Sequence, residues 1–199
     1  KIMNNLYFKI IRLLGKNEYE LKARYFPALI FTLCLEIMIV SKYYPILGLG
    51  YLDILKIPLI IFTSLFVALL PKFCGTIISG YLQNIYWDRY GNTAIKYIKR
   101  STNKVYQSLL KQYDNEEQLL SDMLKVTRGD RLLFSKNIIY GFMRNFSFLV
   151  LCLLMINYIY FDYFIKENLF LLLFLGICLY ISSQRYAEQI LKSYIELKQ

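Results

Sequence analysis

Two basic segments hold the residues best suited to bind something. The stretch "KYIKRSTNKVYQ" places Lys96, Lys99, Arg100 and Lys104 beside Tyr97 and Tyr106, and "KVTRGDRLLFSKNIIYGFMRN" adds Lys125, Arg128, Arg131, Lys136 and Arg144, with Asn145 next in line. Cations interleaved with aromatic rings suit a polyanion whose bases stack, because phosphate contacts give affinity and rings add stacking energy. A solvated face, or a collar for phospholipid headgroups, uses the same residue types, so composition leaves these readings open. Catalysis is poorly served. Histidine, the commonest general base and metal ligand, does not occur. There is no GxSxG, no GxxxxGK[ST] and no HExxH. The expectation is therefore a protein that is not an enzyme, with no catalytic residues, metal or cofactor. Cys34, Cys74, Cys152 and Cys178 are scattered and never form CxxC, which suits small packing residues better than a disulfide or zinc site.

The elements that must position those cations are set by hydropathy. The 199 residues are 57% hydrophobic with a formal charge of +10, a combination rare in a soluble domain of this size. Four apolar runs stand out, with cores at 27–40, 57–82, 146–164 and 168–183. A spanning helix needs roughly 17–25 residues, which the first and fourth reach with their Tyr, Lys and Arg flanks. The first run starts after residue 26 and lacks a cleavage pattern, so no signal peptide is expected. The fold class expected is all-α: a polytopic membrane protein with four transmembrane helices and a helical cytoplasmic domain. Glu36 sits near the middle of the first span, where a carboxylate costs several kcal/mol unless it is protonated, paired or facing water. It is a candidate pore or gating residue, and the alternative is a neutral Glu bonded to a neighbouring span or subunit. Asn157 in the third span is a weaker candidate of the same kind, and Thr63 and Ser64 in the second can join helices by hydrogen bonds.

Charge sets the orientation. The segment 72–145 carries twelve basic and six acidic residues, whereas the short connections at 43–56 and 162–167 are nearly neutral. The positive-inside bias places both termini and the 72–145 segment in the cytoplasm. The organisation expected is an amphipathic interfacial helix at 1–24, a transmembrane hairpin at 25–82, a basic helical domain at 83–145, a second hairpin at 146–184 and a cytoplasmic tail at 185–199. Within the basic domain, a break is expected at Gly91. A helix with Asp114 as N-cap and Glu116 and Glu117 in its first turn follows, and then a helix from about Asp130 that runs through Tyr140 into the third span.

Three stretches carry a resemblance: "ARYFPAL", "YWDRYGNTAIKYIKRS" and "LKVTRGDRLLFSKNIIYGFMRNF". They are similar to a family of small bacterial membrane proteins with a Tyr-Gly-Phe-x-Arg-Asn signature, here Tyr140, Gly141, Phe142, Arg144 and Asn145. The sequence departs from the family pattern at Met143, where a second Arg is usual, at Lys136, where an acid is common, and at Asn92-Thr93-Ala94, the Pro-Thr-Thr region of the family. The family resembles membrane effectors of bacterial anti-phage defence, such as the channel-forming partner of the nucleotidyltransferase in the Hailong system. The resemblance implies a homo-oligomeric ion channel controlled by a nucleotide or short single-stranded DNA oligomer on its cytoplasmic side, with a nucleotidyltransferase encoded nearby. Lys96, Lys99, Arg100, Lys104, Arg128, Arg131, Arg144 and Asn145 are the expected ligand contacts, and Glu36 and Asn157 the expected pore residues. The other reading is a membrane anchor or scaffold that recruits a soluble partner or binds anionic lipid.

Overall fold

The computed structural model describes residues 18–47, 63–101, 104–113, 115–161 and 167–198. They are helical apart from short connections, with no strand among them. Most of the expected amphipathic helix at 1–24 lies outside the described residues, as do residues 48–56 and 162–166 of the two connections, residues 57–62 of the second apolar run and Asp114, the expected N-cap.

A π-helical turn, Glu20–Tyr25, runs without a break into α1, Phe26–Leu47. Pro27 lies just past the π turn and has no N–H, so the Ala23 carbonyl four residues earlier loses its ordinary helical donor. The second run enters at Thr63 and is interrupted at Ala68, three residues before Pro71, then continues as α2, Leu69–Tyr90. Gly91 ends it at φ +80°, a conformation costly for a residue with a Cβ, and its N–H returns to the Trp87 carbonyl at 2.6 Å. The expected break is at that glycine. Asn92 then caps α3, Thr93–Arg100, by accepting from the Ala94 N–H at 2.8 Å.

Helices α4, Lys104–Gln112, and α5, Glu116–Val126, complete the cap of short helices. Glu116 and Glu117 do lie in the first turn of α5, but the capping side chain is Asn115, which accepts from Glu117 N–H at 2.8 Å. A 3-10 turn at Thr127–Gly129 leads to α6, Arg131–Phe161, whose start Asp130 fixes by accepting from Leu132 N–H at 2.7 Å. The final helix, α7, is Glu167–Lys198.

Among the described residues three helical runs are long and apolar enough to cross a membrane: Thr63–Arg100, Arg131–Tyr160 and Asn168–Lys198. Only 6% of the most apolar window of the last is buried in the protein, and its exposed Leu169, Phe170, Leu173 and Phe174 suit lipid. Two cores hold the bundle. One joins the short helices to the end of α7, with Ile95, Ile98, Leu119 and Met123 packed on Ala187, Leu191 and Tyr194. These are the i, i+3, i+4 and i+7 positions of amphipathic helices. The other packs Leu21 and Tyr25 of the π turn and Ala28 of α1 against Ala68 and Leu149. The candidate site lies where α2, α3, α6 and α7 meet.

Candidate functional site: a basic cleft between helices

The Tyr-Gly-Phe-x-Arg-Asn residues lie on α6 at the level where its polar half becomes apolar, and each does something different. Tyr140 stacks on Tyr186 of α7, with ring centroids 5.6 Å apart and planes 11° from parallel. Gly141 lets the π turn come close: a Cβ there would stand 2.6 Å from Tyr19 Oη and 3.1 Å from Ala23 Cβ. Asn145 is fully buried; its Nδ2 donates to the Ala23 carbonyl at 2.7 Å and its Oδ1 accepts from Ser79 Oγ at 2.6 Å. The carbonyl that Pro27 cannot serve is thus satisfied from another helix. Asn145 joins the π turn, α2 and α6 at one point.

Arg144 turns the other way, toward α2. Its Nη1 donates to Gln83 Oε1, while its Nε is buried with no partner, and so is Ser147 Oγ one turn further along the same face. Both residues line a cleft of about 500 Å³ whose walls come from α2, α3, α6 and α7. Its mouth carries Lys96, Arg100 and Arg144, with no carboxylate among the lining residues. Tyr86, Trp87, Tyr140 and Tyr180 supply aromatic surface. Lys96 Nζ sits 5.0 Å over the Tyr86 ring and 5.5 Å over the Tyr90 ring. Guanidinium and ammonium donors with spare capacity, beside flat rings, match an anion that carries an aromatic or apolar part.

Lys96, Arg100, Arg144 and Asn145 are thus brought together, the first three on the cleft and Asn145 behind it. Of the remaining expected contacts, Lys99, Arg128 and Arg131 point elsewhere. Lys99 pairs with Glu116 of α5 at 2.5 Å. Arg128, on the 3-10 turn, and Arg131, at the start of α6, are exposed and outside the cleft lining. Lys104 begins α4. Glu36 accepts from Ser64 Oγ of the next helical run, and Asn157 is half-buried on α6. Sequence reading passed over Gln83, Ser147, Tyr180 and Ser183, whose polar atoms line the same space. The signal for Gln83 is spacing: it shares with Tyr86 and Trp87 the α2 face that precedes the Gly91 break.

The Glu20 carboxylate receives Arg24 from one turn on and Lys72 Nζ of α2 at 3.3 Å, tying the π turn to α2. At the far end of the short-helix core, Asp122 accepts from Tyr194 Oη at 2.7 Å, from Tyr113 Oη and from Lys198 Nζ at 3.3 Å. Hydrogen bonds from Tyr113, Tyr194 and Lys198 hold its carboxyl down at about 2. Asp130 is likewise lowered, chiefly by the hydrogen bond from Ser193. Among known proteins, no family model, no curated protein and no solved structure matches the chain.

Proposed function

We propose that this protein is an oligomeric membrane effector, an ion channel or pore of bacterial anti-phage defence. Its path across the membrane is controlled by a nucleotide or short single-stranded DNA oligomer in the basic cleft. The observation that carries the reading is the three cations Lys96, Arg100 and Arg144 on one aromatic-lined space without an acid. In this reading four spans cross the bacterial inner membrane with both termini in the cytoplasm, so the cleft lies at the cytoplasmic surface. The polar groups of the described spans are few, so the water path runs between subunits of a homo-oligomer, with Glu36 and Asn157 as the pore-side candidates. Arg144 and Asn145 are adjacent on α6. A ligand that draws on Arg144 therefore acts on the same turn whose next residue clamps the π turn and α2, and ligand occupancy biases helix position directly. A nucleotidyltransferase is the soluble partner that fits such a ligand.

The test is flux and binding on the full chain in liposomes. Ion flux that responds to a short oligothymidylate, together with affinity that falls steeply with salt, supports the reading. No flux in any ligand state leaves the anchor or scaffold reading in its place. That second reading, in its lipid-binding form, is favoured by one observation: the inner end of the cleft is apolar, lined by Phe148, Leu151 and Leu179.

A further inference from the structure

The cleft is polar at one end and apolar at the other, and it does not stop where the cations stop. Lys96, Arg100 and Arg144 stand at its mouth; Phe148, Leu151, Leu179 and Gly176 line the rest. Gly176 and Tyr180 also border a second, open groove of about 580 Å³ on α7, whose other walls are Leu169, Leu172, Leu173 and Ile177. Gly176 lines both, and the groove is the surface of α7 alone. A Cβ built on it meets nothing within 4 Å, so the cleft and the groove are continuous open surface at this point and a large side chain there would stand between them. A helix rises about 16 Å between Leu169 and Tyr180, close to one leaflet of a ~30 Å hydrocarbon core.

We infer that the cleft takes the phosphate headgroup of an anionic phospholipid at Arg144, Lys96 and Arg100 and leads an acyl chain past Gly176 along α7, so that a soluble anionic ligand enters by displacing lipid. The inference rests on the reading of the cleft as an anion site, and names what occupies it at rest. A free nucleotide leaves the apolar passage and the groove uncovered, whereas an amphiphile covers both. The headgroup phosphate also comes beside Arg144 and Ser147, which line the cleft and hold two of the four buried polar atoms without a partner among the described residues, Arg144 Nε and Ser147 Oγ.

The experiment uses the full chain in mild detergent with equimolar phosphatidylglycerol and phosphatidylcholine, with retained lipid counted by native mass spectrometry. Thymidine 5′-monophosphate is the soluble probe. Wild type should retain phosphatidylglycerol about tenfold better, the scale of one charge-assisted contact. Gly176→Leu should lose that preference while still binding the monophosphate, and Arg144→Gln should weaken both. If Gly176→Leu does not fold, wild type with phosphatidylglycerols of rising chain length serves instead: selectivity over the matching phosphatidylcholine should grow with the chain. Equal retention of the two lipids, a Gly176→Leu variant that retains lipid like its parent, or selectivity independent of chain length would each overturn the inference. The two claims fail separately. Monophosphate binding without lipid preference sinks the lipid and leaves the nucleotide reading intact; lipid preference that the monophosphate never displaces sinks the nucleotide reading and the displacement step.

Discussion

Two places in this molecule use the same side chains to opposite ends. At the tail of α7, Lys198 Nζ lies 4.7 Å over the Tyr194 ring and 5.7 Å over that of Tyr113, and the carboxylate of Asp122 closes the group. In the cleft, Lys96 lies at similar range over Tyr86 and Tyr90, and Arg100 and Arg144 stand nearby, yet none of the three cations is in an ion pair among the described residues. An acid makes the first group a latch between α5 and α7. Its absence leaves the second with donors to spare and room of about 500 Å³. Lysine and tyrosine alone do not distinguish a site from a brace. The missing carboxylate does.

The largest effect should come from the neutral clamp that holds the cleft open. Asn145 is fully buried and serves both the Ala23 carbonyl and the Ser79 hydroxyl. Asn145→Leu takes the side-chain donor from the Ala23 carbonyl and leaves the Ser79 hydroxyl only its long bond to the Thr76 carbonyl, 3.5 Å, a cost of about 2–4 kcal/mol. Thermal unfolding in detergent should show it as the most destabilised single variant of the cleft. A melting point equal to the parent's would mean that the π turn is held by packing alone. Gln83→Glu asks the complementary question by giving Arg144 the acid that the tail already has. The cleft should then behave as a latch: stability holds or rises, and affinity for a short oligothymidylate falls by about tenfold, or 1.4 kcal/mol. Unchanged affinity at low salt would show that Arg144 does not meet the anion.

Much of this was legible from sequence where a single residue dictates the backbone. The break at Gly91, the helix start at Asp130 and the acidic first turn of α5 follow from glycine, capping and dipole chemistry that act within a few residues. Long apolar runs likewise announce themselves. The site was half legible. Lys96, Arg100 and Arg144 are visible as cations, but which cations converge depends on helix rotation and tertiary contact. Lys99, one residue before Arg100, is turned to Glu116 instead. The role of Asn145 was hidden for another reason. It reads as a ligand contact beside Arg144, yet consecutive residues on a helix face directions about 100° apart, so one opens to the cleft while the other is buried behind it. The space at Gly176 had no sequence signal, since emptiness is a property of neighbours.

A third region sharpens the comparison inside the apolar layer. Glu36 accepts from Ser64, joining α1 to the next helical run. Glu36→Gln keeps shape and an acceptor, whereas Glu36→Leu removes both. If the carboxyl only ties helices, Gln should assemble like the parent and Leu should lose roughly 1 kcal/mol, the usual scale of one interhelical hydrogen bond in a membrane. If ionised carboxylates from several subunits line the path, Gln should instead reduce cation selectivity while assembly persists. Flux selectivity and oligomer mass, measured on both variants, separate the cases.

The smallest effect tests the latch end of the contrast, through pH. The Asp122 carboxyl is held down at about 2 in the folded protein, below the ordinary carboxylate range, because Tyr113, Tyr194 and Lys198 hydrogen-bond its charged form. A depressed folded value means stability that is fully present above about pH 4 and is lost as pH falls toward about 2. Asp122→Asn keeps the shape and removes the charge. The difference in unfolding midpoint between parent and variant should therefore be constant from neutral pH down to about 4, then close as the parent protonates. Because both Asp122 and Lys198 remain partly exposed, the difference should be small and should shrink further in high salt. Amide exchange near Tyr194 should follow the same curve, since that helix end is what the carboxylate holds. A difference that persists unchanged at about pH 2 would show that the carboxylate braces the tail by shape and not by charge, and that the two cation–aromatic groups do not differ in the way their acids suggest.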